Sequence, residues 1–319
     1  MIKFINSSFY KKKIVLLLIL SFIFFHIASL KNLKICLCTV GKKENLYARE
    51  YVEHYKNKGV DKIFIYDNNN SQDEKFETVL YDYIDSGLVE IINFRNIIVS
   101  PQIKAYNDCH KKNYKKFDYL IFYDMDEFIF LRNFQNIKEF LSQKVFDKCS
   151  RIQLNWYFHT DNNFLYYDNR TLLKRFPEKE KRWKNRKIGG KEGIKSIIKG
   201  NIDIRILDVH ILNSKLISCD GFGNIMDNSF NSFYSNNSDH YYNYIDHYYT
   251  KSTEEFVNKL MRGGGVHGMN KEFEKRRIDI YFNLNEITLD KINYIENKTK
   301  INLSKYRTKL ISLKKKKIS

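Results

Sequence analysis

The chain reads as an α/β protein: a doubly wound, mostly parallel sheet flanked by helices, preceded by an N-terminal transmembrane helix. Three observations predict this. Short apolar runs alternate with helical stretches from residue 34 to 123, which implies parallel strands joined by crossover helices. One of these runs, Tyr119–Tyr123, carries no charge and then meets three carboxylates, Asp124, Asp126 and Glu127. Residues 14–30, finally, are uncharged and almost wholly apolar.

Lys34–Val40 reads as the first strand. Glu44–Lys58 follows as a helix, with Tyr47, Tyr51 and Tyr55 four apart on one face and Gly59 as its stop. Asp61–Tyr66 is a second strand and runs into the turn residues Asp67-Asn68-Asn69-Asn70-Ser71. Residues 73–85 are helical, Leu88–Phe94 a strand, Gln102–Lys116 a helix and Tyr119–Tyr123 a strand buried on both faces. No glycine fingerprint of the dinucleotide-binding kind follows the first strand, and no P-loop occurs.

Beyond residue 131 the pattern loosens. Ile137–Phe146 reads as a helix and Arg151–Phe158 as a strand; residues 174–200 are basic and glycine-containing. Ile204–Leu212 has strand character, and Asn224–Asn243 reads as a loop. Ser252–Met261 is a helix capped by Ser252, with Glu254 and Glu255 in its first turn. From about 270 the chain is an amphipathic helix followed by a charged tail.

The 319 residues are 43% hydrophobic, enough for a large core. A net charge of +18 invites a nucleic-acid reading, but Lys and Arg are interleaved with acids along most of the chain. No nucleic-acid-binding signature accompanies them, so no nucleic-acid partner is expected; membrane surfaces and phosphate-bearing ligands account for the charge equally well. The five cysteines leave at least one thiol unpaired. Cys36 and Cys38 point the same way from one strand, are poorly placed to bridge each other, and show no metal-binding spacing. A disulfide scaffold is not expected.

Lys3 and Lys11–Lys13 precede the apolar segment and outnumber the charges after it, which favours a cytoplasmic amino terminus and an uncleaved anchor. A cleaved signal peptide is the alternative, with Ile27-Ala28-Ser29 as its site. The expected organisation is a cytoplasmic segment 1–13, a signal anchor 14–30, a catalytic domain 31–270 and a helical, basic extension 271–319. Within the domain, 34–130 is the nucleotide-binding half and 131–270 the acceptor half. The chain is then a single-pass type II membrane protein with a lumenal domain, in the Golgi or endoplasmic reticulum if its cell is eukaryotic.

Carboxylates just after a buried strand must reach water, a cation or a ligand. In open α/β sheets, ligands bind at the carboxyl ends of strands. Acids two apart there suit a hard divalent cation that holds phosphate oxygens, although an ordinary acidic turn has the same spelling.

The order and spacing of several segments carry a resemblance. Glu44 through Tyr55 is followed by Gly59-Val60-Asp61, Ile65-Tyr66-Asp67-Asn68-Asn69, Gln102, Ala105-Tyr106-Asn107-Asp108-Cys109 and Asp124-Met125-Asp126-Glu127-Phe128. Then come Lys195-Ser196-Ile197-Ile198, His210, His247-Tyr248-Tyr249-Thr250-Lys251-Ser252, Glu254-Glu255-Phe256, Lys259 and Arg262-Gly263. From about residue 34 to 265 the chain resembles glycosyltransferase family 92 and related family-2-like enzymes, once called domain of unknown function 23. It departs from that pattern at Asp246, where Asn is common, and in Thr160-Asp161-Asn162, which lacks the usual glycine.

The resemblance implies a GT-A-type fold and transfer of a hexose, with galactose the family's suggestion. The donor is a nucleotide sugar, expected to be a UDP-sugar, the acceptor is a glycan, the cofactor is Mn²⁺ or Mg²⁺, and inversion is expected. Asp124, Asp126 and His247 are the implied metal residues. Thr39, Glu44, Asp67, Asp124, Lys195 and Lys251 are expected at the donor: Asp67 toward the ribose, or else in an Asx turn, and Lys251 with the helix start at Ser252 toward the diphosphate. An inverting transfer needs a carboxylate base, for which Asp220 and Glu127 are the candidates. Trp156 stacks on a sugar or packs in the core. The rival reading is a membrane-anchored glycan-binding or scaffold protein that has lost its chemistry.

Overall fold

Alternate side chains of strand β1, Ile35–Gly41, enter two different cores. Ile35 and Leu37 pack with the tyrosines of helix α1, Asn45–Asn57, whereas Cys36 and Cys38 pack with Ala105, Tyr106 and Cys109 of helix α3, Pro101–Asn113. The same division holds in β2, Lys62–Asp67, and β4, Tyr119–Phe122, so the sheet is covered on both faces, as a doubly wound layer requires. These features come from a computed structural model that describes residues 33–179, 193–210, 216–226, 242–263 and 271–318.

The first half follows the sequence-based expectation closely. Helix α2, Glu77–Asp85, leads to β3, Val89–Asn93; β2 pairs in parallel with β3, and β1 with both β2 and β4. Gly59 adopts φ +84° where α1 ends, a conformation that is unstrained only for glycine.

The second half contains the expected strand over Arg151–Phe158 and, among the described residues, four further strands that the sequence reading missed. β5, Glu127–Leu131, is followed by a short helix α4, Ile137–Leu141, and a 3-10 turn, Lys144–Phe146, in place of one longer helix. β6, Arg151–Phe158, precedes the four-residue helix α5, Leu172–Arg175, and β7, Ile194–Lys199, emerges from the basic region. β8, Ser218–Cys219, and β9, Asn243–His247, complete the sheet, in the order β3-β2-β1-β4-β7-β6-β9-β5 with β8 against β6. The pairs β4–β7, β6–β7 and β5–β9 are antiparallel, so the sheet is mixed rather than mostly parallel. It curls because β6 pairs with β7 through residues 151–155 and with β9 through residues 156–158.

The described part of Ile204–Leu212 forms no strand. Its 204–210 stretch lies irregularly on the α3 face, where Ile206 is buried beside the sheet. Asn107 bonds both the amide and the carbonyl of Ile206, taking groups that a strand ladder would use.

Four helices close the chain. Helix α6, Thr253–Met261, packs against α7, Lys271–Leu284, and α8, Leu289–Thr299, with Tyr306 of α9, Ser304–Ile318, in the same core. Two disulfides correct the cysteine expectation: Cys38–Cys109 ties β1 to α3, and Cys149–Cys219 ties the start of β6 to β8. Cys36 is free and buried. The anchor expected at 14–30 lies outside the described residues, and no described helix is long and apolar enough to cross a membrane.

Candidate active site

The acidic run occupies the turn from β4 into β5, at the carboxyl end of a central strand. Asp124 N donates to Glu127 Oε2 at 2.9 Å and Glu127 N donates to the Asp124 carbonyl at 3.0 Å, so the turn folds back on itself. Glu127 faces His247 across the antiparallel β5–β9 ladder. The Tyr248 amide donates to the Asp126 carbonyl at 2.9 Å and fixes β9 to the turn. His247 Nε2 consequently lies 3.5 Å from Asp126 Oδ1.

Asp126, Glu127 and His247 are all buried, and one ligand atom from each lies within 4.8 Å of the others. Two of their polar atoms, Glu127 Oε1 and His247 Nδ1, have no hydrogen-bond partner among the described residues. Buried polar atoms without partners are uncommon and call for a ligand, an ion or a water. Oxygen and imidazole donors together suit Mn²⁺, and the carboxylates alone suit Mg²⁺.

The aromatic wall beside them comes from β6. Trp156 sits 4.5 Å from the His247 ring and Phe158 stacks on it at 5.0 Å. Gly193 admits the indole, since a Cβ there would lie 1.6 Å from Trp156 Cε3.

Two lysines neutralise the two aspartates. Lys195, fully buried in β7, places Nζ 2.9 Å from Asp124 Oδ1 and 3.6 Å from Glu127 Oε2. Gln102 and Tyr106 of α3 also donate to Asp124 Oδ1, at 2.5 and 3.0 Å. Lys259 of α6 donates to Asp126 Oδ2 at 2.5 Å.

These contacts set the charges. Burial alone would raise the Asp126 carboxyl, but Lys259 and His247 beside it hold it well below the usual range. Burial pushes Glu127 well above that range, against the opposing charge of Lys195. Burial also lowers His247, against the pull of Asp126, which keeps the imidazole neutral and able to donate a lone pair.

Opposite stands a cationic wall built by α6. Ser252 and Glu255 form a capping box at its start, and the preceding Lys251 takes a left-handed backbone, φ +52°. Lys251 Nζ lies 3.9 Å above the Tyr47 ring and 3.6 Å from Glu44 Oε2. At the far end, Arg262 pairs with Glu44 and donates to the Lys43 carbonyl at 3.0 Å, which bolts α6 to the β1–α1 loop. Between the walls lies a cleft of about 400 Å³, whose lining includes Asn68, Asp124, Asp126, Trp156, His247 and Lys259.

The sequence-predicted residues are therefore only partly gathered. Glu44, Asp124, Asp126 and His247 line the cleft, while Glu127 and Lys195 are buried against its floor. Lys251 is buried on Tyr47 behind Glu44, and Thr39 is buried in β1. Asp67 forms the Asx turn, accepting from the Asn69 amide and side chain at 3.0 and 2.8 Å and from Arg95 at 2.5 Å; its neighbours Asn68 and Asn70 reach the cleft instead. Asp220 does not line the cleft: its oxygens cap their own turn, taking Phe222 N and Asn224 N at 2.9 Å and Asn224 Nδ2 at 3.0 Å. Trp156 lines the cleft while half-buried.

Gln102, Tyr106, Lys259 and Arg262 bear directly on the site, yet individual chemistry did not single them out. The signal for the last pair was present, since positions 259 and 262 share one helix face. No curated protein matches the chain. The family model for glycosyltransferase family 92 matches residues 31–264, and the chain belongs to that family.

Proposed function

We propose that this chain transfers a hexose, galactose being the family's suggestion, from a UDP-sugar to a glycan acceptor with inversion. Mn²⁺ or Mg²⁺ would be held by Asp126, Glu127 and His247. The reading rests on one observation above all: a buried carboxylate–carboxylate–imidazole group with two unpartnered polar atoms lies at the edge of a cleft that also carries Lys259 and Arg262.

When bound, the cation neutralises charge that develops on the departing nucleoside diphosphate. The chain's own groups do the remaining work. Lys259 and Arg262 supply fixed positive charge on the leaving-group side of the cleft. Asp124, with Oδ1 already engaged by three donors, keeps Oδ2 for a ribose or sugar hydroxyl. Trp156 offers an aromatic face to the transferred or accepting sugar, and its packing on His247 keeps that histidine in place.

In the same reading, residues 14–30 tether a lumenal domain as a type II anchor. The two disulfides support an exported domain, because such bonds persist in oxidising compartments. A screen of UDP-sugars with Mn²⁺ and glycan acceptors, following UDP release and the anomeric configuration of the product, tests the proposal. A purely glycan-binding protein would release no UDP from any donor.

A further inference from the structure

We infer that the C-terminal helical extension, beyond the family domain, completes the donor site: Arg277 of α7 is a receptor for the donor's phosphate. This rests on the nucleotide-diphosphate reading above. Arg277 lies past residue 264, where the family match ends, yet it lines the same cleft as Asp126, Lys259 and Arg262.

Its surroundings leave its charge unanswered. The side chain is only 9% exposed. Nε donates to the Tyr249 hydroxyl at 3.4 Å and Nη1 to the Lys259 carbonyl at 3.3 Å, and the Phe273 ring lies 5.2 Å from Cζ. All three partners are neutral. Among the described residues no carboxylate pairs with Arg277, whereas Lys259 has Asp126 and Arg262 has Glu44. A guanidinium cannot shed its proton, and an uncompensated buried charge is strongly unfavourable. An anion entering the cleft would supply the missing partner, and the planar fork of donors matches phosphate oxygens two at a time.

The fold holds this side chain in position. Tyr281, one turn further along α7, donates to Asp161 Oδ2 at 2.7 Å and meets Thr253 Oγ1 of α6 at 2.7 Å. Lys291 of α8 pairs with the same Asp161 oxygen at 2.7 Å, and Asn285 Oδ1 accepts from the Asp161 amide at 2.6 Å. Both charged groups of that ion pair are 2% exposed. The extension is thus pinned to the loop after β6 and to the start of α6, and Arg277 is presented beside Lys259.

The test uses the full chain with Mn²⁺, measuring UDP by calorimetry and uridine, which has no phosphate, by saturation-transfer NMR. Arg277→Gln should weaken UDP about 10- to 100-fold, the range expected for lost charge-assisted bonds, and leave uridine unchanged. Arg277→Lys, which keeps the charge and loses the fork, should fall between the two, and it decides the matter if the Gln variant does not fold. UDP affinity equal to wild type in the folded variants overturns the inference, as does an equal loss for UDP and uridine. Failure of the wild-type chain to bind UDP at all would instead defeat the diphosphate reading itself.

Discussion

The Lys259 ammonium lies 2.5 Å from Asp126 Oδ2, so the carboxylate best placed for a divalent cation already carries an internal one. A metal ion held there would compete with the lysine for the same negative charge. Replacing Lys259 with Met should therefore tighten Mn²⁺ binding several-fold, followed by electron paramagnetic resonance of free Mn²⁺, while slowing UDP release from a donor. Unchanged or weaker Mn²⁺ binding would show that the lysine does not oppose the metal.

The disulfides are expected to carry much of the stability. Each closes about 70 residues of chain, Cys38 to Cys109 and Cys149 to Cys219, and loops of that size contribute about 4 kcal/mol on the chain-entropy account. The Cys149→Ser, Cys219→Ser double variant should lose about 2–5 kcal/mol in urea unfolding. Without reductant, one thiol should react with Ellman's reagent and only after unfolding, since Cys36 is buried and burial raises its thiol far above the ordinary range.

Asp161 and Lys291 form a buried pair that joins the family domain to the C-terminal helices. Lys291→Met leaves the Asp161 carboxylate inside with, among the described residues, only Tyr281 OH and Asn163 N as donors to its oxygens. The expected loss is about 3–5 kcal/mol in denaturant unfolding, and Asp161→Asn with Lys291→Met together should recover part of it. Equal losses for the single and double variants would contradict the pairing.

Acid should destabilise the chain before its carboxylates titrate. Burial, helped by the charge of Lys58 and opposed by the Ile129 carbonyl, pushes His54 down to about 4. Its folded pKa lies below the ordinary 6.5, so the unfolded chain binds more protons between these values and stability is lost as pH falls through that window. His54→Gln should flatten the urea midpoint against pH between about 6.5 and 4 relative to wild type. An identical slope in the variant would rule His54 out as the cause.

How much of this was legible depended on locality. The units from β1 to β4 showed themselves through apolar runs of strand length and the four-residue spacing of Tyr47, Tyr51 and Tyr55, because each buries its own face beside its sequence neighbour. β9, Asn-Tyr-Ile-Asp-His, shows no such pattern: His247 is used at the site, Asp246 accepts from His159 at 2.6 Å and Asn243 donates to the Gly221 carbonyl at 3.0 Å. Ile204–Leu212 had the apolar spacing of a strand, but Asn107 took its backbone groups. The acidic turn was readable as a site. That Lys259 pairs with the turn and that Arg277 shares its cleft was not, since only the packing of α6 and α7 brings them there. Asp161, in the segment that lacks the family's usual glycine, is the anchor for the helices that carry Arg277.

In the proposed reaction Asp126, with Glu127 and His247, couples a divalent cation to the nucleotide. Calorimetric titration of UDP into the chain with Mn²⁺, with chelator, and into Asp126→Asn with Mn²⁺ tests it directly. The expected result is UDP binding that depends on Mn²⁺ in the wild type and is lost in both other arms. UDP binding of equal strength with chelator present, or in the Asn variant, would contradict the account.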